Sequence, residues 1–107
     1  MTHITVYRTN QLPVGIRVEG HAGYADAGAD IVCAGISVLT INFINSVESF
    51  TDDKFEVNSD EEGAVIDFKF TDVPSDKSRL LFDSLVLGLR DLQNENKDFI
   101  SLDSKEV

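Results

Sequence analysis

The pattern of apolar and polar residues near the start of the chain predicts a β-hairpin. Apolar residues alternate with polar ones from Ile4 to Val6 and again from Val14 to Val18, which is the period of a half-buried strand. The stretch Asn10–Pro13 between them has the composition of a turn. We therefore expect two antiparallel strands here.

A long apolar helix is predicted next. Gly20–Asp30 is rich in Gly and Ala, has no periodicity and is expected to form a mobile loop. From Ile31 to Phe50 apolar residues return at steps of three and four, with Asp30 as the natural N-cap. One stripe comprises Val32, Ile36, Leu39, Phe43, Val47 and Phe50. A second stripe comprises Ile31, Val38, Ile41 and Ile44, so we expect the helix to be buried on more than one side. A homodimer interface is one way to bury part of it.

The second half of the chain follows the same strand-strand-helix plan. The segments Lys54–Val57 and Ala64–Thr71 are predicted strands, joined through the acidic turn Asn58–Gly63. A second helix opens at Pro74, Ser75 and Asp76, fades at Gln93, and has one face formed by Leu81, Leu85, Leu89 and Leu92. Phe99–Leu102 is a last predicted strand. The order ββαββαβ predicts one α+β domain over residues 1–107, a two-layer sandwich of two helices on a mostly antiparallel sheet.

Composition restricts the partners. The 19 acidic and nine basic residues give a formal net charge of −10, which repels nucleic-acid phosphates and anionic lipid. We expect neutral or basic partners, no direct nucleic-acid binding and no membrane binding. We also expect a cytoplasmic location, because no export signal and no spanning run of about 20 apolar residues is recognised. A single cysteine allows no intramolecular disulfide and, with two His, no multi-ligand zinc site, so no metal or cofactor is predicted.

Cys33 is the first candidate for chemistry. With Asp30 as N-cap, Cys33 would be the third residue of the helix, where the helix dipole and unpaired N–H groups favour a thiolate nucleophile. The same N–H groups could hold a developing oxyanion. Asp30 adds an opposing negative charge, whose net effect depends on where its carboxylate points. The plain alternative is a Cys that packs as a small hydrophobe.

His21 is the candidate base. It stands at the end of the second predicted strand, 12 positions before Cys33, and a loop between a strand end and a helix start can bring both to one rim. The imidazole would take the thiol proton and then protonate a leaving amine. Asp26 or Asp30 is a candidate to orient it, although nothing requires a third member. An ordinary loop histidine is the alternative.

Three further sites have simple structural explanations beside functional ones. His3 alternates onto the outer face of the first strand, which predicts a surface residue. Ser37 follows Cys33 by one helical turn and is a candidate supporting hydroxyl or a back-bonded helical serine. The acidic run Asp60–Glu62 has the composition of a cation site, but a solvated turn is the favoured interpretation.

The segment GHAGYADAGADIVCAGIS, from Gly20 to Ser37, resembles the signature of the bacterial ribosomal-processing cysteine proteases, the Prp (YsxB-like) family. The matching positions are Gly20, His21, Gly28, Asp30, Cys33, Ala34 and Ser37. The resemblance implies a His21–Cys33 catalytic dyad, with Gly20, Asp30, Ala34 and Ser37 in binding or supporting positions. It also implies a homodimer, movement of the loop Ala22–Ala29 on substrate binding, and a specific substrate. That substrate is the N-terminal extension of large-subunit ribosomal protein L twenty-seven, cleaved after an apolar, aromatic stretch.

Two other classes of function stay open at this point. A non-catalytic acidic adaptor would bind a basic ribosomal protein with Cys33 merely packed, and would give stoichiometric binding without product. A redox sensor would oxidise Cys33 reversibly without cleaving peptide.

Overall fold

The computed structural model describes residues 1–20, 27–60 and 64–107, with only the backbone of residues 27–30. This part of the chain forms five strands and two helices in the predicted order ββαββαβ. The elements are β1 (Thr2–Thr9), β2 (Leu12–Glu19), α1 (Ala27–Phe50), β3 (Phe55–Asp60), β4 (Val65–Phe70), α2 (Asp76–Glu95) and β5 (Ile100–Glu106).

The strands form one mixed sheet in the order β3-β4-β2-β1-β5. Every neighbouring pair is antiparallel except β1 and β5, which are parallel. The parallel pair arises because α2 carries the chain from β4 across the sheet, so that β5 enters beside β1 in the same direction. The predicted two-layer α+β class with a mostly antiparallel sheet is confirmed.

The core lies between the two helices and the inner face of the sheet. On β1 the alternation is clear, since Ile4 and Val6 are buried and His3 is exposed as predicted. Phe43 of α1 packs edge-on against three aromatic rings, with centroid distances of 4.9 Å to Phe68, 6.4 Å to Phe70 and 5.7 Å to Phe82. Edge-to-face aromatic packing adds to the free energy gained from burial alone. The core therefore ties α1 and α2 to β4.

Helix α2 begins where its sequence signal predicts. Ser75 is the N-cap, and its hydroxyl accepts a hydrogen bond from the Ser78 N–H at 3.5 Å. Leu85 and Leu89 are buried, whereas Leu81 and Leu92 are half-buried.

Helix α1 begins earlier than expected, which corrects the predicted N-cap. The helix starts at Ala27, so Asp30 is its fourth residue rather than its N-cap. Cys33 is its seventh residue and lies in the second turn. The Ala-Gly-Ala run before Asp30 contains no contrast between apolar and polar residues, so periodicity gave no sign of a helix there. Ala is nevertheless the strongest helix former. Residues Ala27–Ala29 of the predicted loop are therefore helical, whereas residues 21–26 lie outside the described part.

Three of the four residues in the second apolar stripe of α1 are exposed in the single chain, whereas the fourth, Ile44, packs half-buried against the core. Ile31, Val38 and Ile41 are 73%, 67% and 49% exposed, so the expected burial on more than one side is not found within one chain. The segment Ile31–Phe50 is also long and apolar enough to cross a membrane by length and composition, which corrects the expectation that no such run exists. Its opposite face packs in the core through Val32, Ile36, Phe43 and Val47.

Both edge strands are longer than predicted. Asn58–Asp60 belongs to β3 rather than to a turn, and β5 continues to Glu106 rather than ending at Leu102. The added residues at Asn58–Asp60 and at the end of β5 are exposed on both faces of the sheet. They therefore lack the apolar alternation that reveals a half-buried strand.

Candidate active site

The two flanks of α1 have different roles. One flank packs tightly on α2, since a Cβ atom built on Gly35 would lie 3.4 Å from Leu92 Cδ1 and one on Gly88 would lie 3.2 Å from Leu39 Cδ1. The other flank carries Cys33, Ser37 and Ile41, which line a cleft. This arrangement follows from the helical period, because residues four apart share a side of the helix.

The cleft has a volume of about 360 Å³ and lies between this flank of α1 and the ends of β2, β3 and β4. Its walls are mainly apolar and include Val18, Ile36, Ile41, Val65 and Ile66. Its polar residues are Thr2, Ser37, Ser59 and Asp60. A mostly apolar cleft with a few placed polar groups is the usual form of a site that binds a small ligand or a peptide side chain.

Cys33 is half-buried on the wall of this cleft and packs against the core cluster. Its side chain is therefore partly accessible from the cleft. Its second-turn position changes the predicted electrostatics, because the influence of the helix dipole falls off within the first turn. The unpaired N–H groups also belong to the first turn of the helix, which ends before Cys33. The predicted oxyanion contact with N–H groups beside Cys33 is therefore not supported.

Gly20 occupies the other side of the cleft, directly after β2. Its φ is +91°, and a Cβ atom there would lie 2.7 Å from the backbone oxygen of Met1. Its N–H donates to the Ala64 carbonyl at 3.1 Å, which fixes its position beside β4. Only glycine fits this combination of positive φ and close approach, so the backbone itself explains the glycine before position 21.

Of the other predicted site residues, some are described by the structure and some are not. Ser37 is exposed and lines the cleft one turn after Cys33, whereas Ala34 is exposed on α1. His21, Asp26 and the side chain of Asp30 lie outside the described residues. The structure thus brings Gly20, Cys33 and Ser37 together around one cleft.

Thr2 is a cleft residue that sequence reasoning missed. It is 2% exposed, and within the described ranges its Oγ1 has no hydrogen-bond partner. The available signal was its register, because Thr2 alternates with Ile4 and Val6 and so occupies an inward position with a polar side chain. Asp60 was predicted to lie in a solvated acidic turn rather than in a cation site, but it ends β3 at the rim of the cleft.

A half-buried thiol on the wall of a cleft is placed to attack a substrate bound there. Residues 1–101 match the model of the family described as Cysteine protease Prp, and the chain belongs to this family. It is accordingly a cysteine protease, as the resemblance over Gly20–Ser37 implied.

Individual relatives agree with this assignment. The ribosomal processing cysteine protease Prp of Staphylococcus aureus is 27% identical over 88 residues, which cover 82% of this chain and 83% of the relative. The structure of protein SMU.848 from Streptococcus mutans superposes with a TM-score of 0.91 at 27% identity, over 100% of this chain and 96% of that one. A crystal structure of the S. aureus Prp with a substrate peptide has the same fold, with a TM-score of 0.91 at 23% identity over 98% of this chain and 100% of that one.

Proposed function

We propose that this cysteine protease is an endopeptidase that removes the N-terminal extension of ribosomal protein L twenty-seven, with Cys33 as nucleophile and His21 as base. The observation that carries the proposal is the position of Cys33 on the wall of a mainly apolar cleft large enough for a peptide side chain. The S. aureus relative, which is named a ribosomal processing protease, supports the substrate class.

The proposed chemistry needs only these two side chains and water. His21 accepts the thiol proton as Cys33 Sγ attacks the carbonyl carbon before the scissile bond, and the tetrahedral intermediate collapses to a thioester. The leaving amine takes the proton back from the imidazolium. Water, deprotonated by the same imidazole, then hydrolyses the thioester and restores the thiol.

Charge supports a basic substrate. The chain carries a formal net charge of −10, and one of its acidic residues, Asp60, forms part of the rim of the cleft. A basic ribosomal protein is attracted to such a surface, and the attraction weakens as salt is raised. The same surface makes nucleic acid and anionic membranes poor partners, in keeping with a cytoplasmic enzyme.

We also propose a homodimer that covers the exposed stripe of α1. Ile31 and Val38 lie seven residues apart on the same side of the helix and are 73% and 67% exposed. Val38→Glu should shift the protein to monomer in sedimentation velocity, whereas Leu80→Glu, at an equally exposed leucine of α2, should not. A wild-type protein that sediments as a monomer at micromolar concentration would refute the dimer.

Cleavage is tested by intact-mass spectrometry of the candidate ribosomal protein after incubation with the enzyme. Wild type should release the extension, and Cys33→Ala should give no product while still binding. Ser84→Ala, at an exposed serine of α2, is a matched control for loss of one side-chain heavy atom and should cleave normally. Stoichiometric binding by the wild type without product would favour the adaptor, and reversible oxidation of Cys33 without cleavage would favour the redox sensor.

A further inference from the structure

The strand β3 has an open edge whose hydrogen-bonding groups can be assigned. It is the terminal strand of the sheet and pairs only with β4 within the described residues. The Thr71 N–H donates to the Lys54 carbonyl at 3.0 Å, so Lys54 directs its backbone groups toward β4. In an antiparallel pair this orientation alternates. The backbone N–H and C=O groups of Phe55, Val57 and Ser59 therefore point away from the sheet.

This open edge leads directly into the cleft that contains Cys33. Ser59 and Asp60, the last two residues of β3, line the cleft together with Cys33. The side chains of Val57 and Ser59 lie on the same face of the sheet as the helices, because they pair with Phe68 and Ile66. A chain that follows β3 would thus enter the cleft at its Ser59 end.

We infer that the substrate peptide binds in an extended conformation as a sixth strand on β3, paired with the outward backbone groups of Val57 and Ser59. This inference rests on the proposed endopeptidase function and adds how that enzyme holds its substrate. Strand addition supplies affinity through the main chain, and alternate peptide side chains then face opposite sides of the sheet. Those on the helix side reach the apolar cleft, and those on the other side pass Glu56 and Asn58.

Charge selects the substrate rather than a second copy of this chain as the occupant. On the sheet face away from the helices β3 carries Glu56 and Asn58, Asp60 lies at the rim of the cleft, and the whole chain carries a net charge of −10. Pairing of two β3 edges would place carboxylates beside carboxylates, which is unfavourable. A peptide with Lys or Arg at alternate positions has the complementary charge.

A proline substitution tests the edge directly. Val57→Pro removes one outward N–H without touching the β3–β4 ladder, since proline is tolerated at such edge positions. Loss of one hydrogen bond should raise the KM for an extension peptide about three- to tenfold with kcat retained. The matched control is Ser104→Pro on β5, the opposite edge, where the Thr2 N–H to Phe99 carbonyl bond of 2.9 Å implies that Ser104 also faces outward. An equal KM for Val57→Pro and wild type would overturn the inference.

A second measurement avoids any doubt about folding of the proline variant. With Cys33→Ala protein, unlabelled peptide should protect the amide hydrogens of Val57 and Ser59 from exchange, and not those of Leu102 and Ser104 on β5. Peptides N-methylated at successive positions should bind weakly at every second position. Cleavage by the wild type without protection of β3 would refute strand addition alone, whereas protection without cleavage by the wild type would refute the endopeptidase.

Discussion

Asp53 joins three elements, the end of α1, the start of β3 and the start of α2, and provides the sharpest test of the fold. It lies between α1 and β3, and its Oδ2 accepts hydrogen bonds from the Ser75 N–H at 3.1 Å, the Ser75 hydroxyl at 2.5 Å and the Ser78 hydroxyl. Its own N–H donates to Thr51 Oγ1 at 3.1 Å, just beyond the end of α1. One carboxylate therefore fixes the start of β3 against the N-terminus of α2.

Asp53→Ala should destabilise the protein by about 2–4 kcal/mol. Each hydrogen bond to a charged group contributes about 1.5–3 kcal/mol, but water can replace the bonds at exposed Ser75. Water does not reach the Ser78 hydroxyl, because Ser78 is fully buried, and without Asp53 this hydroxyl keeps only its longer hydrogen bond of 3.4 Å to Thr51 Oγ1. At about 4–5 °C per kcal/mol for a domain of this size, Tm should fall by roughly 8–20 °C. Asp53→Asn keeps the shape and loses the charge, so about half of this effect is expected.

The effect should depend on pH in a defined direction. Burial raises the pKa of Asp53, but hydrogen bonds from Ser75 and Ser78 outweigh it and hold the pKa below its ordinary value. A depressed folded-state pKa gives stability that is present above the unfolded-state pKa and is lost as pH falls through the folded-state pKa. The stability difference between wild type and Asp53→Asn should thus be complete above about pH 5 and shrink below about pH 4.

Urea unfolding followed by circular dichroism across this pH range measures the difference. Asp52→Ala removes a neighbouring exposed carboxylate and should change stability by less than about 0.5 kcal/mol. The reasoning fails if Asp53→Asn is as stable as wild type at pH 7, or if its deficit does not change with pH.

Two other substitutions test features of the cleft and of α1. Gly20→Ala should lower the free energy of unfolding by about 1–2 kcal/mol from its φ of +91° alone. Peptidase activity should also fall, because the new Cβ would lie 2.7 Å from the Met1 backbone oxygen and the backbone beside the cleft must shift. Unchanged stability in thermal unfolding would contradict this prediction. Thr40→Val should raise stability by about 1 kcal/mol, since Thr40 is fully buried and its Oγ1 lacks a hydrogen-bond partner in the described segments; a lower Tm would show that the hydroxyl is satisfied.

The elements predicted correctly are those with an apolar face. The hairpin of β1 and β2, strand β4 and helix α2 each bury one side, so their periodicity appears in the sequence. Ser75 was recognised because a helix start has its own chemistry. Edge strands β3 and β5 lack such contrast over part of their length, and their ends were missed for that reason.

The sequence motif predicted several residues of the candidate site, but not how the walls of the cleft are arranged around them. The motif pointed to Gly20, Cys33 and Ser37, which do meet around one cleft. The opposite wall, formed by Thr2, the end of β3 and the start of β4, depends on the order of strands in the sheet. Strand order is set by contacts between residues far apart in sequence, and no local pattern encodes it.

The position of Cys33 decides which group must activate it. In the second turn of α1 its backbone N–H is already inside the helical hydrogen-bond ladder, and the helix dipole has weakened. In the proposed mechanism the activation comes from His21, so His21→Ala should lower kcat about 10²- to 10⁴-fold and slow alkylation of Cys33 by iodoacetamide at neutral pH. His3→Ala removes an exposed histidine on β1 and should change neither rate. Were the start of α1 the source of reactivity instead, His21→Ala would be alkylated as fast as wild type, because the helix would still present Cys33 with the same dipole.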